Sequence, residues 1–220
     1  MNAVARMALL DLRTVAPYRN QGLVLFGLLV VTLANSNPMM VLPALVLLLT
    51  SQIAAYPFLI ADKAGLETLY AVLPLSRRSV LYGRYAWALA SFLATAIVGT
   101  ALALLLARAH AVPFDGRTLV TVLTLSWALF VLNVAIQFPL FIRFGYSRVS
   151  ALGTVLPLAL IMVAVARLHL SIVNIASIQI WLPLIWAAGV AALVASVRVA
   201  MAADRRRLRG PIRDRADRPH

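Results

Sequence analysis

Two adjacent arginines, Arg77 and Arg78, follow Leu73-Pro-Leu-Ser76 and stand at the head of a long apolar run. Ser76 reads as the N-cap of a helix that enters that run. Cations in a helix's first turn oppose the macrodipole, so some other interaction must favour them there. Just upstream, Leu66, Leu69, Tyr70 and Leu73 recur at helical spacing and predict a short amphipathic helix, with Glu67 on it and Asp62 and Lys63 ahead of it. Pro74 ends that helix, because the residue before a proline is pushed out of the α region. Two readings fit the arginines. They hold a loop in the cytoplasm as cations beside a span, or they offer charge to a soluble partner docked on an amphipathic elbow.

The remaining reactive side chains build no catalytic centre. Lys63 is the chain's one lysine, and no Gly-x-x-x-x-Gly-Lys-Ser/Thr loop accompanies it, so the polypeptide is not expected to hydrolyse ATP by itself. The chain has no cysteine, and His110, His169 and His220 lie far apart, which leaves no expected metal site. A serine nucleophile would need a base within reach, and no such pairing is evident. Thr50, Ser51, Gln52, Thr95, Thr124, Ser126, Asn133 and Gln137 fall within apolar runs. They either bond between helices or line a path for an amphipathic or lipid-like substrate. No acidic residue or histidine sits mid-run, as an ion-driven pump would usually require.

The elements that must position these groups are membrane spans. With 63% hydrophobic residues and a mean hydropathy of +0.93, the 220-residue chain cannot hide its apolar surface in one soluble core. The reading is an all-α integral membrane protein with six spans, at about 21–37, 39–61, 85–107, 119–141, 149–165 and 178–201. Residues 1–20 read as an amphipathic amino-terminal elbow, with Asn2, Arg6 and Arg13 on one face and Val4, Met7 and Ala8 opposite. A cleaved signal peptide fits less well, since the prelude carries Asp11 and no small-x-small site follows. Residues 166–177 read as a plain loop or a re-entrant piece. Residues 202–220 read as a basic disordered tail, solvated or lying on anionic lipid. Trp181 and Trp186 read as outer interface anchors of the last span.

Orientation follows from charge. With both termini cytoplasmic, 17 of the 20 Lys and Arg residues lie inside, leaving Arg108, Arg117 and Arg167 outside. The net charge of +13 therefore reflects topology, and no nucleic-acid partner is expected.

Two loops on the expected inner side carry a more specific pattern. The first runs from Asp62 through the short helix to Leu73-Pro-Leu-Ser-Arg77 and then Gly83-Arg-Tyr85. The second is Phe138-Pro-Leu-Phe141 followed by Ile142-Arg-Phe-Gly-Tyr-Ser-Arg148. Together, in this order, they resemble the cytoplasmic loops of ABC type-2 transporter permeases, and Leu10-Asp-Leu-Arg13 is similar to that family's elbow. The resemblance runs from the elbow to about residue 201, with its specific motifs in about thirty-five residues.

This resemblance implies a permease subunit with a short coupling helix between spans 2 and 3. It implies an exporter of an amphipathic peptide, drug or lipid-like substrate, in a cell membrane such as a bacterial inner membrane. A second permease subunit, identical or not, and a separate cytoplasmic ATPase carrying ATP and Mg would be its partners, beside membrane lipids. Asp62, Glu67, Leu69, Tyr70, Leu73, Pro74, Leu75, Arg77, Arg78 and Tyr85 would form the ATPase-coupling region, and Arg143, Phe144, Gly145 and Arg148 the second inner loop. The alternative is a non-transporting membrane scaffold or assembly factor. A lipid-modifying enzyme ranks third, lacking paired carboxylates or clustered ligands.

Overall fold

The computed structural model describes residues 19–33, 38–65, 77–149, 155, 159 and 179–216, and of residues 19, 21, 77, 179 and 203–216 the backbone alone. Every regular element among them is helical. These are α1 (Arg19–Leu33), α2 (Pro38–Lys63), α3 (Arg77–Ala109), α4 (Gly116–Phe144) and α5 (Leu182–Ala216), the last preceded by a 3₁₀ turn at Gln179–Trp181. Four segments are long and apolar enough to cross a membrane: Pro38–Lys63, Arg78–Ala109, Gly116–Phe144 and Leu182–Ala202. At ~1.5 Å per residue α1 spans only about 22 Å, short of a hydrocarbon core of ~30 Å. Six spans are therefore not all seen. The segment 166–177 and nearly all of the fifth expected span and of the elbow lie outside the described residues.

Helix ends follow local chemistry. Asp115 caps α4, its Oδ1 accepting the Thr118 amide at 2.9 Å, which starts the helix three residues before the expected span. Hydrogen bonds from Thr118, its side chain first, hold the Asp115 carboxyl below the usual carboxylate range. A lowered carboxyl pKa makes this cap complete above the ordinary value, and the cap is lost as pH falls through the lowered one. At the other end Gly145 takes φ 82°, a left-handed conformation that side chains resist, and α4 stops. α3 begins at Arg77, eight residues before the expected span. Its 33 residues make it about 50 Å long, so its first turns extend past the hydrocarbon.

The basic segment expected to be a disordered tail from residue 202 instead continues α5 to Ala216. Arginine, leucine and alanine are good helix formers, and their preference carries the backbone on despite Pro211.

α2 is not a regular helix. It carries Pro43 and Pro57 and passes through a π turn at Val46–Thr50. A proline leaves the carbonyl four residues earlier without its helical donor. For Pro57 that carbonyl belongs to Ile53, and the Trp87 indole N–H of α3 donates to it at 3.0 Å. An unpaired carbonyl in a low-dielectric interior costs about 1–3 kcal/mol. Trp87→Phe is thus expected to destabilise the bundle by about that much in reversible detergent unfolding. Adding Pro57→Ala should recover most of the loss, because the restored amide N–H re-forms the helical bond.

Packing between helices relies on small residues and aromatic rings, as expected where lipid removes the hydrophobic drive. A Cβ on Gly99 would lie 2.6 Å from a Leu42 methyl carbon, so α2 and α3 approach at this glycine. The most extensive contact joins α4 to α5. There Trp186 stacks on Trp127 with centroids 4.8 Å apart, and its N–H donates to Thr124 Oγ1 at 2.9 Å. Trp186 is thus a packing residue of the α4–α5 seam as well as an aromatic near the span's end, and both it and Trp181 keep part of their rings exposed.

Candidate functional site

The loop motifs meet at one end of the bundle. Asp62, near the end of α2, accepts the backbone N–H of Ser147 on its Oδ2 at 2.6 Å, across 85 residues of sequence. Residues 146–149 are helical, so this carboxylate serves an amide at the start of a helix, where no intrahelical acceptor exists. A Cβ on Gly145 would stand 4.0 Å from Asp62 Oδ1, an ordinary contact, so it is the positive φ and not space that calls for glycine here. A cap of this kind contributes about 0.5–2 kcal/mol, enough to bias a loop and too little to hold a bundle together.

Beneath this junction lies a run of aromatic rings. Tyr85 meets Phe138 at 4.9 Å, Phe138 meets Phe58 at 4.8 Å, Phe58 meets Phe141 at 5.5 Å, and Phe141 meets Tyr146 at 5.0 Å. Each such pair contributes about 0.5–1.5 kcal/mol beyond its buried area. The Arg84 guanidinium lies over the Phe58 ring, 4.3 Å from its centroid. Tyr85 shares a hydrogen bond with Ser196 of α5 at 2.7 Å. Burial, with Tyr56 adding to it, pushes the Tyr146 phenol up, so it remains neutral near physiological pH. The rings join α2, α3, α4 and the segment after Gly145, while Tyr85 adds α5.

The expected site residues fall into four groups. Asp62, Tyr85 and Gly145 come together in this junction. Arg143, Phe144 and Arg148 flank it in sequence and are exposed, with Arg143 over the Phe144 ring at 5.1 Å, and Arg78 is exposed in the first turn of α3. Arg77 is the first residue of α3, and nothing is described of its side chain. Glu67, Leu69, Tyr70, Leu73, Pro74 and Leu75, with the short coupling helix they would form, lie outside the described residues. Sequence reading missed Phe58, Arg84 as a ring partner, Ser147 and Ser196. Phe58, one residue after Pro57 and one helical turn before Asp62, was the available signal.

The buried polar residues mostly serve their own helices. Thr124 and Ser126 donate to the carbonyls four residues back at 2.8 and 2.7 Å, and Ser51 donates to Leu47. Asn133 reaches Gln137 at 3.4 Å within α4. Thr50 Oγ1 and Gln137 Nε2 are buried without a partner. Among the described residues no group of three or more His, Asp or Glu could hold a metal ion.

The family model described as ABC-2 family transporter protein matches residues 8–203. The chain belongs to the ABC-2 family of transporter proteins and is a multi-pass membrane protein. Members of this family generally work with an ABC ATPase partner. No curated protein and no solved structure matches the chain.

Proposed function

We propose that this chain is the permease subunit of an ABC exporter and that its Asp62–Ser147 junction passes motion from a cytoplasmic ATPase to the spans. The junction itself supports the reading most directly, because it ties the two inner-loop motifs into one body on a common aromatic base. Rigid-body displacement of packed helices is the means by which such a body could act at a distance. The chain supplies no nucleotide site of its own, and a separate subunit carries ATP and Mg. A second permease subunit completes the path, and an amphipathic peptide, drug or lipid-like molecule is the cargo, in a membrane such as a bacterial inner membrane.

Two experiments test this reading. With no cysteine in the chain, Ser147→Cys should react with an impermeant thiol reagent only after cells are opened, and Asp115→Cys from outside. Labelling of Ser147→Cys on intact cells would put the junction on the wrong side for a cytoplasmic partner. The purified chain should also hydrolyse no ATP, while it changes the activity of its ATPase on co-reconstitution. Sustained hydrolysis by the chain alone would refute the division of labour.

A further inference from the structure

Between α3, α4 and α5 runs a groove of about 200 Å³, near the Tyr85–Ser196 bond. Its floor is Phe130 and Val134, both almost fully buried, and its rims are Leu89 and Val194, 40% and 48% exposed. The rim exposures mean that the groove opens sideways, towards whatever surrounds the bundle. In a membrane, a flank that no second subunit covers faces lipid. An apolar cavity of ~150 Å³ accepts a benzene molecule, so a stretch of a single hydrocarbon chain fits here. Along α3 the groove runs from Tyr85 to Leu89, a little over one helical turn.

The end of the groove nearest Asp62 is marked by charge and polarity. On α5, Val194 and Arg198 stand four residues apart, hence on one face, and Arg198 is exposed. On α3, Tyr82, Ala86 and Leu89 share a face, and Tyr82 is 44% exposed. Both helices therefore present an apolar wall and, one turn beyond it in the same direction, an exposed donor. A guanidinium pairs with phosphate oxygens through two parallel N–H bonds. Four more arginines follow at 205, 206, 207 and 209, and such clusters draw anionic lipid to their side of a membrane.

We infer that this groove seats one acyl chain of an anionic phospholipid from the leaflet at the Asp62 end, with Arg198 holding the headgroup phosphate and Tyr82 beside it. Zwitterionic lipids carry the same phosphate, but their own cation competes for it, so net-anionic lipids bind in preference. The site lies on the flank of the bundle, sharing Tyr85 with the aromatic base of the inner-loop junction, and its occupant is a resident lipid that ties α3 to α5 rather than a transported molecule.

Native mass spectrometry of the full chain in mild non-ionic detergent tests this, with dioleoyl phosphatidylglycerol or dioleoyl phosphatidylcholine as the added lipid. One phosphatidylglycerol per chain should be retained, with a preference over phosphatidylcholine of about tenfold, the size of one charge-assisted contact. Arg198→Gln should reduce that preference to about twofold or less, whereas Arg198→Lys, which keeps the charge but not the paired N–H bonds, should fall between the two. Val194→Trp fills the groove and should abolish retention of either lipid. Where its circular dichroism departs from wild type, the milder Ala86→Leu replaces it, with the same result expected. Equal retention of the two lipids, an unchanged preference in Arg198→Gln, or undiminished phosphatidylglycerol binding in the folded groove-filling variant would each overturn the assignment.

Discussion

Asp62→Ala is expected to leave the spans inserted and assembled while lowering permease-dependent ATPase activity of the reconstituted complex about tenfold, as loss of a helix cap of ~0.5–2 kcal/mol would allow. Its carboxylate stands 2.6 Å from the Ser147 amide. Without it, the start of the helix at 146–149 loses an acceptor, and the two inner loops move apart in part of the population. The bundle survives because the rings of Phe58, Tyr85, Phe138 and Phe141 do not depend on this bond. Asp62→Asn keeps a side-chain oxygen and loses only the charge, so it should fall between wild type and alanine. Steady-state ATPase assays in proteoliposomes, with detergent melting as the control for assembly, separate the two effects. Equal losses in melting and in activity would make Asp62 a folding residue only.

The second large effect is expected from reversing the charges at the head of α3. Arg77→Glu with Arg78→Glu should give an inserted chain that no longer retains its ATPase in a pull-down. Surface ion pairs contribute only ~0–1 kcal/mol each, so removal to alanine should be milder than reversal, which adds repulsion. Leu69→Asp should be at least as damaging, because burying a leucine contributes roughly 1.5–3 kcal/mol. If the arginines act on topology alone, the Glu/Glu variant should instead insert poorly and Leu69→Asp should assemble and couple normally. Arg78 is exposed in the first turn of α3, and the position of that helix makes the difference physical. The first turns of this helix extend past the hydrocarbon, where a soluble partner could reach them.

Much of this architecture was legible because its causes are local. The hydropathy of 39–61, 85–107, 119–141 and 178–201 needs only length and composition to be read as four spans, and Gly145 marks a stop through its own backbone freedom. The meeting of Asp62 with Ser147 was not legible from spacing, since an 85-residue separation carries no periodic signal. Pattern resemblance put both segments on one side of the membrane without pairing their atoms. Trp87 was hidden for a related reason. Pro57 announces an orphaned carbonyl, but which neighbouring side chain answers it depends on how α2 and α3 pack. Trp186 was read as an interface anchor from its place near a span's end, and packing against Trp127 gave it a second role. The run-on of α5 to Ala216 shows helix propensity outlasting hydrophobicity, two properties that end together only where polar loops begin.

The central claim, that the Asp62–Ser147 junction faces and drives a cytoplasmic ATPase, is tested most directly by zero-length to short-range crosslinking in native membranes. Arg117→Cys, in the first turn of α4, and Ser147→Cys, just past its other end, are each coupled to a photoactivatable thiol reagent, and the affinity-tagged chain is then recovered. The claim predicts a crosslinked ABC-type ATPase from Ser147→Cys and none from Arg117→Cys, with the yield from Ser147→Cys changing when ATP is trapped on the partner. Recovery of no ATPase from Ser147→Cys, or its capture from Arg117→Cys, would contradict it.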